Sequence, residues 1–102
     1  MNVITPKELK AKIDKNEPFQ LIDVRENYEF EEFNIGGINI PLGQIFNSLD
    51  KIDLDKPVIF VCNTGRKTAA ILHTIKRKLN LSNKSLYTLE GGVPNYVAKF
   101  GV

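Results

Sequence analysis

The residues best suited to chemistry lie in one short segment of the chain, 62–67. Cys62 comes directly after the apolar run Val58–Val61, and it is followed by Asn63, Thr64, Gly65, Arg66 and Lys67. A helical pattern begins at Thr68, so the thiol would lie beside the first turn of a helix. Unpaired N–H groups and a partial positive charge there favour an anion. With the two cations nearby, we expect a lowered pKa of the Cys62 thiol and a pocket that holds a small anion.

A cysteine at the end of an apolar strand can also be a small buried core residue. The two cations and the following helix favour a functional thiol instead. His73 is the only histidine and lies on the predicted helix about two turns past the loop, where we expect it on the surface. With one cysteine and a distant histidine, the sequence lacks the residues of a Cys/His hydrolase and of a zinc site. It also has no Gly-rich phosphate loop, so we expect no metal and no cofactor.

The elements that would position Cys62 alternate along the chain. Apolar, β-branched runs predict strands at 19–24, 38–40, 57–61 and 85–89. Helical patterns and caps predict helices from Thr5 onward and at 27–33, 42–49, 68–79 and 93–100. This alternation indicates an α/β fold, an open and mostly parallel sheet with helices on both faces. Sites in such sheets lie beyond the carboxyl ends of the strands, which is where Cys62 falls.

Length and composition limit the function further. The 102 residues predict a single domain over 1–102, and the net charge of +2 gives no reason to expect nucleic acid or a membrane as partner. One cysteine excludes an internal disulfide and fits a cytoplasmic protein. Residues 1–6 lack the pattern of a signal peptide.

The sequence resembles the rhodanese-like domain family in four segments that occur in the family's order. They are 21–30 with its Asp-Val-Arg and Glu-Phe, 35–42 with Gly-Gly-Ile-Asn-Ile-Pro-Leu, the loop 62–68, and 89–93 with its Gly-Gly followed by Tyr96. Each segment is weakly specific alone, but together they span nearly the whole chain.

The resemblance implies a sulfurtransferase. Cys62 would take one sulfane sulfur from a small anionic donor such as thiosulfate or polysulfide and hold it as a persulfide. Cyanide, a thiol or a sulfur-accepting protein would then remove it. Asn63, Thr64, Gly65, Arg66, Lys67 and Thr68 would bind the transferred group. Asp23 and Arg25 would support the site, with a structural ion pair as the favoured role.

Three positions depart from the family's pattern: Lys67 stands where arginine is usual, Asn34 where histidine is common, and Tyr96 where tryptophan is common. Lysine keeps the positive charge but lacks the planar fork that binds oxyanions through two hydrogen bonds.

Two alternatives stay open. The chain could be a catalytically silent rhodanese-like module that binds or regulates, or a persulfide carrier for one partner protein. The acidic stretch 23–32 could then be a docking face, although solvated surface is its simpler interpretation. A phosphatase is disfavoured, because its arginine six residues after the cysteine is replaced here by Thr68.

Overall fold

The computed structural model describes residues 2–53, 55–64, 66–79 and 86–101, without the side chains of Lys67, Ile71, Leu72 and Leu79. Its strands are β1 (Asn2–Ile4), β2 (Gln20–Asp23), β3 (Ile38–Asn39), β4 (Val58–Val61) and β5 (Leu86–Leu89). Its α-helices are α1 (Pro6–Asp14), α2 (Asn27–Glu32), α3 (Arg66–Leu79) and α4 (Gly92–Phe100).

The five strands form one sheet in the order β1-β5-β4-β2-β3. Every pairing that joins these neighbours is parallel. Strand β4 lies at the centre and all four of its residues are buried. The predicted fold class, an open parallel sheet with helices on both faces, is therefore confirmed.

Alternation along the strands divides the core between the two faces of the sheet. The face that carries Val58, Phe60, Cys62 and Leu86 also packs Ile75 of α3. The opposite face carries Ile59, Val61 and Leu89 and packs Leu9 of α1 with Val93 and Tyr96 of α4. Cys62 thus continues the β4 alternation on the α3 side, which fixes the direction of its thiol.

The start of α1 has the capping box that the sequence predicts. The Thr5 hydroxyl accepts a hydrogen bond from Glu8 N at 3.1 Å, and Glu8 Oε1 accepts one from Thr5 N at 3.0 Å. The backbone N–H of Thr5, and after it the Thr5 side chain, lower the pKa of Glu8, because hydrogen bonds to the carboxylate favour its charged form.

Several boundaries differ from the sequence prediction. Helix α3 begins at Arg66 and not at Thr68, so Arg66 and Lys67 belong to its first turn. The predicted helix at 42–49 is instead a pair of 3-10 helices, Leu42–Asn47 and Leu49–Lys51. Strand β1 was not predicted, because its three residues become a strand only by pairing with β5. Residue 85, predicted as the start of β5, lies outside the described residues.

Across the described residues, no helix has both the length and the apolar character needed to cross a membrane.

Candidate active site

The Cys62 thiol lies at the carboxyl edge of the sheet, immediately after β4. The backbone is held in place here, since Val24 N donates to Val61 O at 2.9 Å and Val93 N donates to Cys62 O at 2.8 Å. Only 2% of Cys62 is exposed. The cysteine is therefore almost entirely buried, and it forms part of the wall of a pocket.

This pocket has a volume of about 300 Å³. Its lining is Val24, Arg25, Glu26, Glu29, Leu42, Cys62, Asn63 and Thr64. The space suits a small molecule or the tip of a larger one, and Cys62 is the only nucleophilic thiol within it.

Two buried hydroxyls lie behind the sulfur. Thr68 Oγ1 is 3.7 Å from Cys62 Sγ, and the Thr68 hydroxyl is also hydrogen-bonded to the hydroxyl of Thr88 on β5. Thr68 is fully buried and Thr88 is 5% exposed. Polar groups so placed need hydrogen-bond partners, and here they find them in each other and in the sulfur.

The cysteine loop is fastened at its start and at its end. The side-chain amide of Asn63 donates to Glu29 Oε2, and Glu29 Oε1 accepts from Glu26 N at 3.1 Å. At the other end, Thr64 Oγ1 accepts from Arg66 N at 3.2 Å, as a capping residue does at a helix start. Helix α2 therefore supports the loop from the pocket side.

Gly92 lets α4 approach the cysteine closely. Its φ is +72°, and a Cβ at this position would lie 2.3 Å from Cys62 O. Only glycine combines that backbone angle with that contact at little cost. The Gly-Gly segment thus holds the backbone of the cysteine in place, which the sequence alone did not reveal.

Asp23 and Arg25 form a buried ion pair beside the pocket. Arg25 Nη2 is 2.9 Å from Asp23 Oδ2 and also donates to Phe33 O at 2.8 Å. Asn39 Nδ2 donates to the carbonyls of both Asp23 and Arg25, which fixes their backbone. Arg25 lines the pocket, yet most of its donors are already used, so these contacts are mainly structural.

The structure separates the residues that the sequence grouped around Cys62. Asn63 and Thr64 line the Cys62 pocket, and Thr68 contacts the sulfur from behind. Arg66 is exposed and lines a neighbouring groove with Thr64, Thr88 and Glu90. Gly65 and the Lys67 side chain lie outside the described residues, so their predicted role is a prediction still.

Other sequence positions of interest are also placed. His73 is exposed, as expected. Asn34, in the place of the common histidine, donates to Phe30 O and accepts from Gly36 N, so it closes the end of α2. Tyr96 is buried in the core, and this burial raises the pKa of its hydroxyl.

Three residues near the site were missed as functional candidates. Glu29 was assigned to the acidic surface, and nothing in its neighbours showed that it would reach Asn63. Thr88 carries a weak signal, a hydroxyl at a buried position of an apolar strand. Glu26, which also lines the pocket, carries none.

The rhodanese-like domain family model matches residues 5–99. "Uncharacterized protein YqhL" of Bacillus subtilis strain 168 is 34% identical over 100 residues, 97% of this chain and 75% of that protein. "Putative sulfur carrier protein YrkF" of the same strain is 29% identical over 76 residues. That match covers 74% of this chain and 41% of YrkF, so the chain spans less than half of that relative.

A solved structure has the same fold. The rhodanese-related protein TVG0868615 of Thermoplasma volcanium superposes with a TM-score of 0.82 and is 23% identical in sequence. The superposition covers 98% of this chain and 94% of that one. The family match over residues 5–99 and the 34% identity to YqhL lead to one conclusion: this chain belongs to the rhodanese-like domain family.

Proposed function

We propose that this protein is a sulfurtransferase that carries sulfane sulfur on Cys62. The observation that carries the proposal is the placement of its single thiol. Cys62 lies at the carboxyl end of the central strand, lines a small pocket and has the Thr68 hydroxyl 3.7 Å from its sulfur. Family membership and the similarity to YrkF, which carries the name "Putative sulfur carrier protein", support the same chemistry.

The reaction would proceed in two displacements. The Cys62 thiolate attacks the outer sulfur of the donor, the S–S bond of the donor breaks, and the leaving group departs with the electron pair. For thiosulfate that leaving group is sulfite. A thiophilic acceptor, cyanide or a thiol, then attacks the terminal sulfur of the persulfide, and Cys62 recovers its electron pair as thiolate. Sulfur is only transferred, so no external oxidant or reductant is required.

The surrounding residues would lower the barrier by stabilising negative charge. Helix α3 points its N-terminus toward the loop, where a helix carries partial positive charge. Thr68 offers its hydroxyl to the sulfur, while Asn63 and Thr64 form the rim that the donor passes. Within this proposal, Gly65, Arg66 and Lys67 complete the binding loop. Prearranged positive groups of this kind stabilise a developing anion without moving.

A persulfide carrier that serves one partner protein is the second candidate. The relative YrkF is named as a carrier, which favours it, and the chemistry at Cys62 would be identical. Only the acceptor would differ, a protein thiol instead of a small molecule. Either role needs Cys62 kept reduced between turnovers, which a cytoplasmic location would provide.

Intact-mass spectrometry after incubation with thiosulfate or polysulfide tests the proposal. We expect the wild-type chain to gain the mass of one sulfur atom and to lose it on addition of cyanide or a thiol. The Cys62→Ser variant should gain nothing. If the folded wild-type protein with a free thiol gains no sulfur from either donor, the silent-module alternative replaces the proposal.

A further inference from the structure

Thr88 has a hydroxyl at a buried position of β5, where an apolar side chain is usual. It lies on β5 two residues after Leu86, so both side chains project to the α3 side of the sheet. Phe60 and Val3 are its partners on the neighbouring strands, and Thr88 itself is 5% exposed. Valine has the same shape and would leave no hydroxyl to satisfy, so core packing alone does not explain a threonine here.

The hydroxyl of Thr88 is connected to the cysteine by way of the Thr68 hydroxyl. The two threonine hydroxyls are hydrogen-bonded to each other, and Thr68 Oγ1 lies 3.7 Å from Cys62 Sγ. The three groups come from β5, the first turn of α3 and the end of β4. A buried chain of hydrogen bonds thus joins Thr88 to Thr68, 20 positions earlier in the sequence, and through it to Cys62, 26 positions earlier.

The charge of the sulfur decides which way the protons in this chain point. A thiolate or a persulfide anion can only accept, so the Thr68 hydroxyl must donate in its contact with the sulfur. A hydroxyl has a single proton, so Thr68 then accepts from Thr88, which donates. Each bond in such a chain polarises the next, and Thr88 therefore strengthens the bond that Thr68 makes to the sulfur.

We propose that Thr88 is a positioning residue that commits the Thr68 hydroxyl to donating to the Cys62 sulfur. Thr88 does not touch the substrate and acts only through Thr68. The inference rests on the proposed role of Cys62 as a sulfur-accepting thiolate. Its test needs no sulfur donor, so a failure of sulfur transfer and a failure of this inference can be told apart.

The charged groups around Cys62 stay the same when Thr88 or Thr68 is changed. Arg25, Glu26 and Glu29 face the pocket from the segment after β2 and from α2, and Asp23 is paired with Arg25. On the other side of the loop, Arg66 and Glu90 line the groove that includes Thr88. A change in the ionisation of Cys62 on removing a hydroxyl therefore reports that hydroxyl.

Titration of Cys62 in threonine variants tests the proposal. The ultraviolet absorbance of the thiolate and the rate of alkylation by iodoacetamide are measured against pH, and the single cysteine makes both signals unambiguous. Thr68→Val should raise the Cys62 pKa by about one unit, as loss of a hydrogen bond to an anion does. Thr88→Val should raise it by about 0.3 to 0.5 unit, because it weakens that bond without removing it.

Three further variants separate positioning from packing. Thr88→Ser keeps the hydroxyl and should titrate like the wild type. In the Thr68→Val background, Thr88→Val should add no further shift, because its route to the sulfur is gone. Thr74→Val is the matched control, since Thr74 is on the same helix and its hydroxyl donates to the Ala70 carbonyl.

Two results would overturn the proposal. One is a Thr88→Val titration that coincides with that of the wild type. The other is a shift of equal size in the presence and absence of Thr68, which would show that Thr88 acts by another route.

Discussion

Two buried polar clusters flank the carboxyl edge of the sheet, and they differ in what their protons can do. The Asp23–Arg25 pair is charged, and its guanidinium is bound to a carboxylate and a carbonyl. The Cys62–Thr68–Thr88 chain contains two hydroxyls and a thiol, each able to donate or to accept. The first cluster has one hydrogen-bond arrangement, whereas the second can reverse its direction when the sulfur gains charge.

This difference separates a structural role from a chemical one. A buried charge is stable only with its partner in place, so the ion pair must stay as it is throughout turnover. A chain of hydroxyls costs little to rearrange, and in the proposed reaction it would follow the sulfur from thiol to thiolate to persulfide. Removing members of the two clusters should therefore affect different properties of the protein.

The largest expected effect comes from breaking the ion pair. Asp23→Asn leaves the Arg25 guanidinium buried without its carboxylate, and we expect a loss of about 3 to 5 kcal/mol in the free energy of unfolding. Urea denaturation followed by circular dichroism measures it. Asp14→Asn is the control, because its pair with Lys10 is exposed and screened by water and should contribute little to stability. Similar small losses for both variants would show that the buried pair has no special structural role.

The next effect concerns the backbone contact that holds Cys62. Gly92→Ala combines a positive φ with a Cβ 2.3 Å from Cys62 O, and we expect about 3 kcal/mol of destabilisation together with slower sulfur loading. Gly36→Ala shares a positive φ but meets nothing within 4 Å, so it should cost only about 1 kcal/mol. Denaturation and intact-mass loading rates are compared for the two variants. Equal costs would mean that the close approach of α4 to the cysteine is not important.

The smallest effect on stability should come from the hydroxyl chain. The double variant Thr68→Val, Thr88→Val replaces both partners of a buried hydrogen bond with apolar groups of the same shape, which is nearly neutral, within about 1 kcal/mol. Denaturation measures this against the wild type. A loss comparable to that of Asp23→Asn would place the two clusters in one structural class and remove the distinction between them.

Much of the fold could be predicted from the sequence because the signals are local. The apolar run at β4 and the capping box at Thr5 and Glu8 both mark their elements directly, and both are present in the structure. Strand β1 could not be found in this way, since three residues with one buried side chain carry no periodicity. It forms because its backbone pairs with that of β5 at the edge of the sheet.

The site was predicted less completely, for the same physical reason. The position of Cys62 follows from the strand that precedes it, and its neighbour Thr68 lies only six residues further along the chain. Glu29 and Thr88 belong to the site only through tertiary contacts. Glu29 is 34 residues from its partner Asn63, and Thr88 is 20 residues from its partner Thr68. Arg66 is exposed and lines the neighbouring groove, and its predicted role in the cysteine loop stays a prediction.

The burial of the lone cysteine has a consequence for how long a captured sulfur atom would persist. With 2% of Cys62 exposed and no second thiol in the sequence, no resolving cysteine can displace the persulfide from within the chain. Two loaded copies would also find it hard to bring their sulfurs together. Release would then be strictly bimolecular, with a rate proportional to the concentration of a nucleophile small enough to enter the pocket. The persulfide would persist until such a nucleophile reacts with it.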